Sequence, residues 1–209
     1  MKYESSSAFR RALEDRLRSK SLQTGLPLSR LRKMVVFDRF LARLILDQPA
    51  NWVLKGGLAL QLRLQATSRT TKDIDMLMLD DRQDLQSLLS RAGSIDLGDW
   101  FLFEVGRPEI ETEETGSARY PLLAFLDSRP FETFHMDVGL GDLLIEPPDL
   151  LATPDLLAFA DISPTLIPCY PLTQQIAEKL HAYTRPHVSG ENSRVKDFVD
   201  MILMAGLAE

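Results

Sequence analysis

The stretch from Val53 to Leu79 limits what this chain can fold into more than any other. It follows Trp52 in an apolar run, breaks at Gly56-Gly57, and continues through Leu58, Leu60, Leu62 and Leu64 among residues that favour helix. That order predicts a strand, a glycine turn and a helix of about two and a half turns. A short polar linker, 66–72, leads to Asp73-Ile74-Asp75-Met76-Leu77-Met78-Leu79, an apolar strand opened by two acids.

Residues two apart on a strand share a face, so Asp73 and Asp75 point the same way. Adjacent carboxylates repel each other, and a cation or a shared proton relieves the repulsion. Mg²⁺ takes oxygen ligands and substrate phosphates together, which makes it the expected cation, with Mn²⁺ as the alternative. Gly56 and Gly57 lack a Cβ and precede a helix start, whose free N–H groups suit a phosphate. Taken singly, a Gly-Gly turn or an Asp-x-Asp strand end is ordinary; together, at this spacing, they suggest a seat for a triphosphate and its metal.

On these residues the stretch resembles the nucleotidyltransferase superfamily related to DNA polymerase beta. The longer pattern Lys55-Gly56-Gly57, Ala59-Leu60, Leu62-Arg63, Arg69, Thr71, Asp73 and Asp75 resembles the AbiEii/AbiGii-type toxin branch of abortive-infection and toxin-antitoxin systems. A second part of the resemblance lies in Gln175, Ala177-Glu178-Lys179-Leu180 and then Arg194, Lys196-Asp197 and Asp200. The likeness runs from Leu54 to Leu207.

The resemblance implies an α/β fold, a small mixed sheet flanked by helices, with a carboxy-terminal helical lobe closing a cleft. It implies nucleotidyl transfer: a hydroxyl attacks the α-phosphate of a nucleoside triphosphate, and pyrophosphate leaves. Asp73, Asp75, Lys179 and Asp197 are the expected catalytic residues. Lys55, Gly56, Gly57, Arg69, Thr71 and Lys179 are expected to bind the nucleotide, and Asp73 and Asp75 the metal. Asp137 is either a third metal ligand or a strand-end acid accepting backbone bonds at Gly139-Leu140-Gly141. The implied acceptor is RNA, with tRNA the first choice, and the implied partner is a cognate antitoxin. The alternatives are a small-molecule acceptor, as in antibiotic nucleotidyltransferases, and a catalytically silent nucleotide- or RNA-binding protein. Thr71 is also a candidate for regulatory phosphorylation, because a phosphate there would add about −1.5 to −2 charge beside the triphosphate site.

Two domains are expected, 1–145 for amino-terminal helices and core, and 146–209 for a proline-rich connector and the helical lobe. Ala8 to Lys20 and Leu31 to Leu46 are predicted helices, the second capped by Ser29, with Arg32, Lys33, Arg39 and Arg43 on its polar side. Further strands are expected at Trp100 to Val105, Tyr120 to Leu126 and Phe131 to Val138, after a helix from Asp81 to Ala92 stopped by Gly93. Pro171 to Thr184 and Ser193 to Leu207 read as the closing helices, with Val195, Phe198, Val199 and Ile202 facing inward.

The net charge of −6 conceals an asymmetry: residues 1–72 hold 15 Lys and Arg against 5 acids, a balance of +10, whereas 73–209 balance at −16. Such a basic segment suits a polyanion, or it pairs with the acidic half. The single Cys169 rules out an intramolecular disulfide. The charged amino terminus lacks a signal-peptide core, and no apolar run reaches membrane-spanning length, so a cytoplasmic protein is expected. Three scattered histidines and one cysteine exclude the common zinc spacings, and no Walker-type phosphate loop is present.

Overall fold

The computed structural model describes residues 2–64, 71–80, 84–112, 117–141, 143–184 and 195–206. Helix α1, Ser6–Thr24, begins where the Ser5 hydroxyl accepts the Ala8 N–H, and it ends at Gly25 in a left-handed turn with φ 72°. It buries Phe9, Leu13 and Leu17. Helix α2, Leu28–Asp47, starts directly after Pro27, whose fixed φ presets the first turn, so Ser29 lies inside the helix and is not its cap.

Eight strands form one mixed sheet: β1 Trp52–Lys55, β2 Ile74–Met78, β3 Phe101–Val105, β4 Ile110–Thr112, β5 Ser117–Leu126, β6 Arg129–Leu140, β7 Asp149–Ala152 and β8 Leu166–Cys169. Their spatial order is β3-β5-β6-β2-β1-β8-β7, with β4 hairpinned onto β5. The fold is α/β, and the proline-rich stretch after residue 145 supplies two strands to this same sheet. Helix α3, Gly56–Leu64, follows β1; α4, Leu85–Ser94, follows β2; α5, Leu172–Thr184, and α6, Val195–Ala205, pair at the end. Gly93 lies inside α4, where a Cβ would come 2.9 Å from the Phe103 carbonyl; it permits close helix–sheet packing and does not stop the helix.

One face of the sheet packs on α1, α2 and α4 through a core that includes Phe37, Phe40, Phe101, Phe103 and Phe134. Alternation sets it: Phe134, Met136 and Val138 are buried on β6, while His135 and Asp137 face the other side. Among the described residues, the opposite face carries a small cluster of Val53, Leu77 and Tyr170.

The polar side of α2 is not a solvated face. Arg39 and Arg43 are 6% and 0% exposed, because the β7–β8 region, β3 and α4 close over that side. Arg43 grips the buried Asp99 with two bonds of 2.6 and 3.0 Å and donates to the carbonyls of Ile95, Phe101 and Arg39. Arg32 pairs with Glu14, Lys33 with Glu132, and Arg63 with Asp149. Lys33, Arg39, Arg43 and Arg63 of the basic amino-terminal segment are thus paired with acids from the other half.

Helix α6 is turned relative to the sequence expectation. Phe198, Val199 and Ile202 are 48%, 43% and 58% exposed, whereas Asp200 is completely buried and Met204 is packed inside. The cause is Lys179 on α5. Its ammonium bonds Asp197 and Asp200 at 2.8 Å each, and a buried ion pair fixes the helix face more strictly than an apolar stripe with nothing to cover it. On α5, Leu180 is likewise half exposed and Gln174 and Gln175 are the buried side chains. Among the described residues, no helix is long and apolar enough to cross a membrane.

Candidate active site

β1 delivers the chain to Gly56, which has φ 67° and opens α3. The positive φ favours glycine, and space demands it: a Cβ would sit 2.1 Å from Asp75 Oδ2. β1 and β2 pair antiparallel with Lys55 opposite Asp75, so the glycine turn lies against the second acid of the Asp-x-Asp pair. The Gly57 N–H donates to Asp75 Oδ2 at 3.4 Å, a long bond.

The parallel pairing of β2 with β6 puts Asp137 opposite Asp75, and β5 places Arg119 opposite Asp137. Three carboxylates and one guanidinium therefore share a side of the sheet. Arg119 Nη2 bonds Asp73 Oδ2 at 2.9 Å. Its Nε stands 2.9 Å from Asp137 Oδ1 as an ion pair, at an angle that makes no hydrogen bond. His135 lies 3.5 Å from both Asp73 and Glu109.

The charge in this cluster is reflected in its acids. Burial first, then Asp137 and Asp73, push the Asp75 carboxyl up to about 6, against the opposing pull of the Gly57 N–H and Lys55. The Asp137 carboxyl is also raised, by burial above all, with Asp73 adding to it and Arg119 working the other way. Among the described residues, no three His, Cys, Asp or Glu side chains form a ready-made metal cage. Asp73 and Asp137 are instead joined through Arg119.

A cleft opens beside Asp75, lined by Lys55, Gly56, Asp75, Gln175, Glu178, Lys179, Ala182 and Asp197. It brings together residues from β1, β2, α5 and α6, and thus both motifs of the sequence. Lys179 is 12% exposed and its three donors include two given to Asp197 and Asp200. Thr71, 8% exposed, donates its hydroxyl to the Asp73 carbonyl at 3.3 Å and its backbone N–H to Gln61 Oε1 at 3.4 Å. Arg69 and Arg194 lie outside the described residues.

Three participants escape a reading of the sequence alone. Arg119 becomes visible only through the register of β5 against β6. Asp200 has the spacing of a surface partner for Lys196, and only the fold turns it inward. Gln175 belongs to the second motif, yet nothing in its spacing points to the glycine turn it touches.

The second acid of the Asp-x-Asp pair, the glycine turn into α3 and a lysine from α5 converge on one cleft, the arrangement of a nucleotidyltransferase-type protein. Two solved structures share the fold. JHP933 from Helicobacter pylori aligns at a TM-score of 0.55 and 16% identity, over 87% of this chain and 68% of that one. A candidate nucleotidyltransferase from H. pylori aligns at 0.51 and 17%, over 87% and 70%. ANT(2″)-Ia in complex with adenylyl-2″-tobramycin aligns at 0.45 and 16%, over 84% and 89%. No curated protein sequence matches the chain. The family profile for the nucleotidyl transferase AbiEii toxin of type IV toxin-antitoxin systems matches residues 39–208, and the chain belongs to that family.

Proposed function

We propose that this nucleotidyltransferase moves a nucleoside monophosphate from an NTP to an RNA acceptor, with tRNA the first choice, in the cytoplasm. The observation that carries the reading is the convergence of both sequence motifs on one cleft, with Gly56, Asp75, Lys179 and Asp197 in its lining. The AbiEii membership supplies the toxin role and implies an antitoxin partner and an NTP substrate.

The acid cluster fits a divalent cation. A carboxyl held up to about 6 by burial and by two neighbouring carboxylates is short of positive charge, and Mg²⁺ or Mn²⁺ supplies it with an affinity for oxygen. Asp73 and Asp75 would hold the ion, and Asp137, at the register of Asp75 on β6, is a third candidate. Bound there, the metal would neutralise charge building on the phosphates.

The chain's own groups do the rest. Gly56 and Gly57 seat the triphosphate at the start of α3, where the first-turn N–H groups suit a phosphate and the Gly57 N–H bonds Asp75 only at a long 3.4 Å. Lys55 lines the same cleft, and the resemblance adds Thr71 and Arg69 as nucleotide-binding residues. Lys179 offsets phosphate charge. Before substrate arrives its own charge is balanced by Asp197 and Asp200, which keeps a cation stable at 12% exposure. Asp197, accepting from Lys179, orients it or takes the proton of the attacking hydroxyl. α5 and α6 form the lobe over the cleft.

Phosphorylation of Thr71 would silence the site through like charge. Thr71 is 8% exposed and its hydroxyl is bonded, so a modifying enzyme reaches it only after that hydroxyl leaves the Asp73 carbonyl. The other mode is an antitoxin that covers the cleft. Mass spectrometry of protein co-expressed with its antitoxin separates them: an inhibited toxin with unmodified Thr71 leaves only covering.

The test incubates the protein with each labelled NTP, Mg²⁺ and total cellular RNA. Label entering a tRNA-sized band is expected, and Asp73→Ala should abolish it without unfolding the protein. A folded wild-type protein that labels no RNA with any NTP would refute the proposal.

A further inference from the structure

The peptide between Gly56 and Gly57 is engaged on both sides. Its carbonyl oxygen accepts from Gln175 Nε2 at 2.7 Å, and its N–H donates to Asp75 Oδ2. In a trans peptide the C=O and N–H point in opposite directions, so whatever fixes the oxygen also aims the hydrogen.

Gln175 is well suited to fix it. The side chain is 3% exposed, and its amide cannot turn round freely: Arg63 Nη1 donates to Oε1 at 3.3 Å, which assigns the NH₂ end to Gly56. Arg63 is held in turn by the Tyr170 carbonyl and Asp149, at 2.6 Å each. The glycine turn is thereby tied through two side chains to β7 and the end of β8.

Such a tie answers a weakness of the turn. Gly56 must lack a Cβ because Asp75 lies against it, yet a residue without a Cβ has little steric preference to hold its peptide one way. If the peptide flipped, a carbonyl oxygen would face the acid cluster and any incoming phosphate, with repulsion in place of a hydrogen bond.

We propose that Gln175 is a positioning residue for triphosphate binding: by holding the Gly56 carbonyl it keeps the Gly57 N–H turned to the Asp75 side of the cleft, where the long 3.4 Å bond to Asp75 Oδ2 holds it until a phosphate oxygen takes its place. This rests on the reading of the cleft as a triphosphate site. The role is distinct from that of Lys179, one turn further along α5, which acts by charge.

Gln175→Glu tests it, because the carboxylate keeps the size and the Arg63 pairing but loses the donor. Gln175→Leu removes both bonds. Affinity for a non-hydrolysable NTP analogue, measured by titration calorimetry with Mg²⁺, should fall several-fold to about tenfold in both, the effect of one hydrogen bond. KM should rise by a similar factor, with kcat the less affected. Independently, the Gly57 amide signal in ¹⁵N–¹H spectra of the nucleotide-free protein should move in both variants. A Gln175→Glu protein that keeps the wild-type Gly57 signal and the wild-type affinity overturns the proposal. If wild-type protein itself binds no triphosphate, the reading of the cleft fails, and the Gly57 signal alone decides whether Gln175 orients the peptide.

Discussion

Replacing Asp75 by Asn should stabilise the protein, and the amount depends on pH in a way the site dictates. The Asp75 carboxyl is displaced from the usual 3.8 to about 6, so the folded chain holds this proton more tightly than the unfolded chain does. The unfolded state then binds fewer protons between pH 4 and 6, and stability falls as pH rises through that window and levels off above it. At 1.36 kcal/mol for each tenfold in proton affinity, ionised Asp75 costs the metal-free fold about 3 kcal/mol above pH 7. At pH 4.5 the cost shrinks to about 1 kcal/mol. Asn does not titrate, and its amide oxygen still accepts from Gly57 while its NH₂ can face Asp137. In EDTA at pH 7.5 the variant should therefore melt roughly 6–12 °C above the parent, at about 2–4 °C per kcal/mol for a chain of this size. By pH 4.5 the gap should close to about a third. Mg²⁺ should narrow the gap at pH 7.5, because it stabilises the parent selectively. Scanning fluorimetry across pH, with and without Mg²⁺, reads all three. An Asp75→Asn protein that melts at or below the parent at pH 7.5, or by a margin that ignores pH, would refute the account of strain in the acid cluster.

Lys179→Met should destabilise the protein in urea unfolding, because it removes the ammonium that bonds the fully buried Asp200 at 2.8 Å. Adding Asp200→Leu should restore much of that stability and none of the nucleotidyl transfer, which separates the structural from the chemical share of Lys179. Arg43→Met should destabilise by a similar amount through the loss of the Asp99 clamp, and its effect on NTP affinity, measured by calorimetry under conditions where it is folded, should be negligible.

What the sequence disclosed follows from how far its rules reach. The turn at Gly56 and the strand after Asp73 are local: glycine, alternation and apolar runs specify them, and β1, α3 and β2 lie where those signals put them. Lys179 was legible through the motif that carries the resemblance, whereas the half-exposure of Leu180 beside it was not. Facing was lost wherever an ion pair outweighed hydrophobic spacing. Arg39 and Arg43 look like a wet surface in one dimension, and their burial depends on Asp99, some 60 positions away. Asp200 was hidden for the same reason, since its partner is on another helix. Arg119 needed strand register across three strands, which no periodicity within β5 could reveal.

The parallel pairing of β2 with β6, and the reach of Lys179 to Asp197 and Asp200, have a consequence for the birth of the enzyme. Asp75 leaves the ribosome about 125 residues before Asp200, an interval of about 6–25 s at ordinary elongation rates. Through that interval the nascent chain has its first acids and its glycine turn but not the aspartates that hold Lys179 in place. A chain broken off before α6 lacks both aspartates that hold Lys179, and on the proposed reading of the cleft it should transfer no nucleotide.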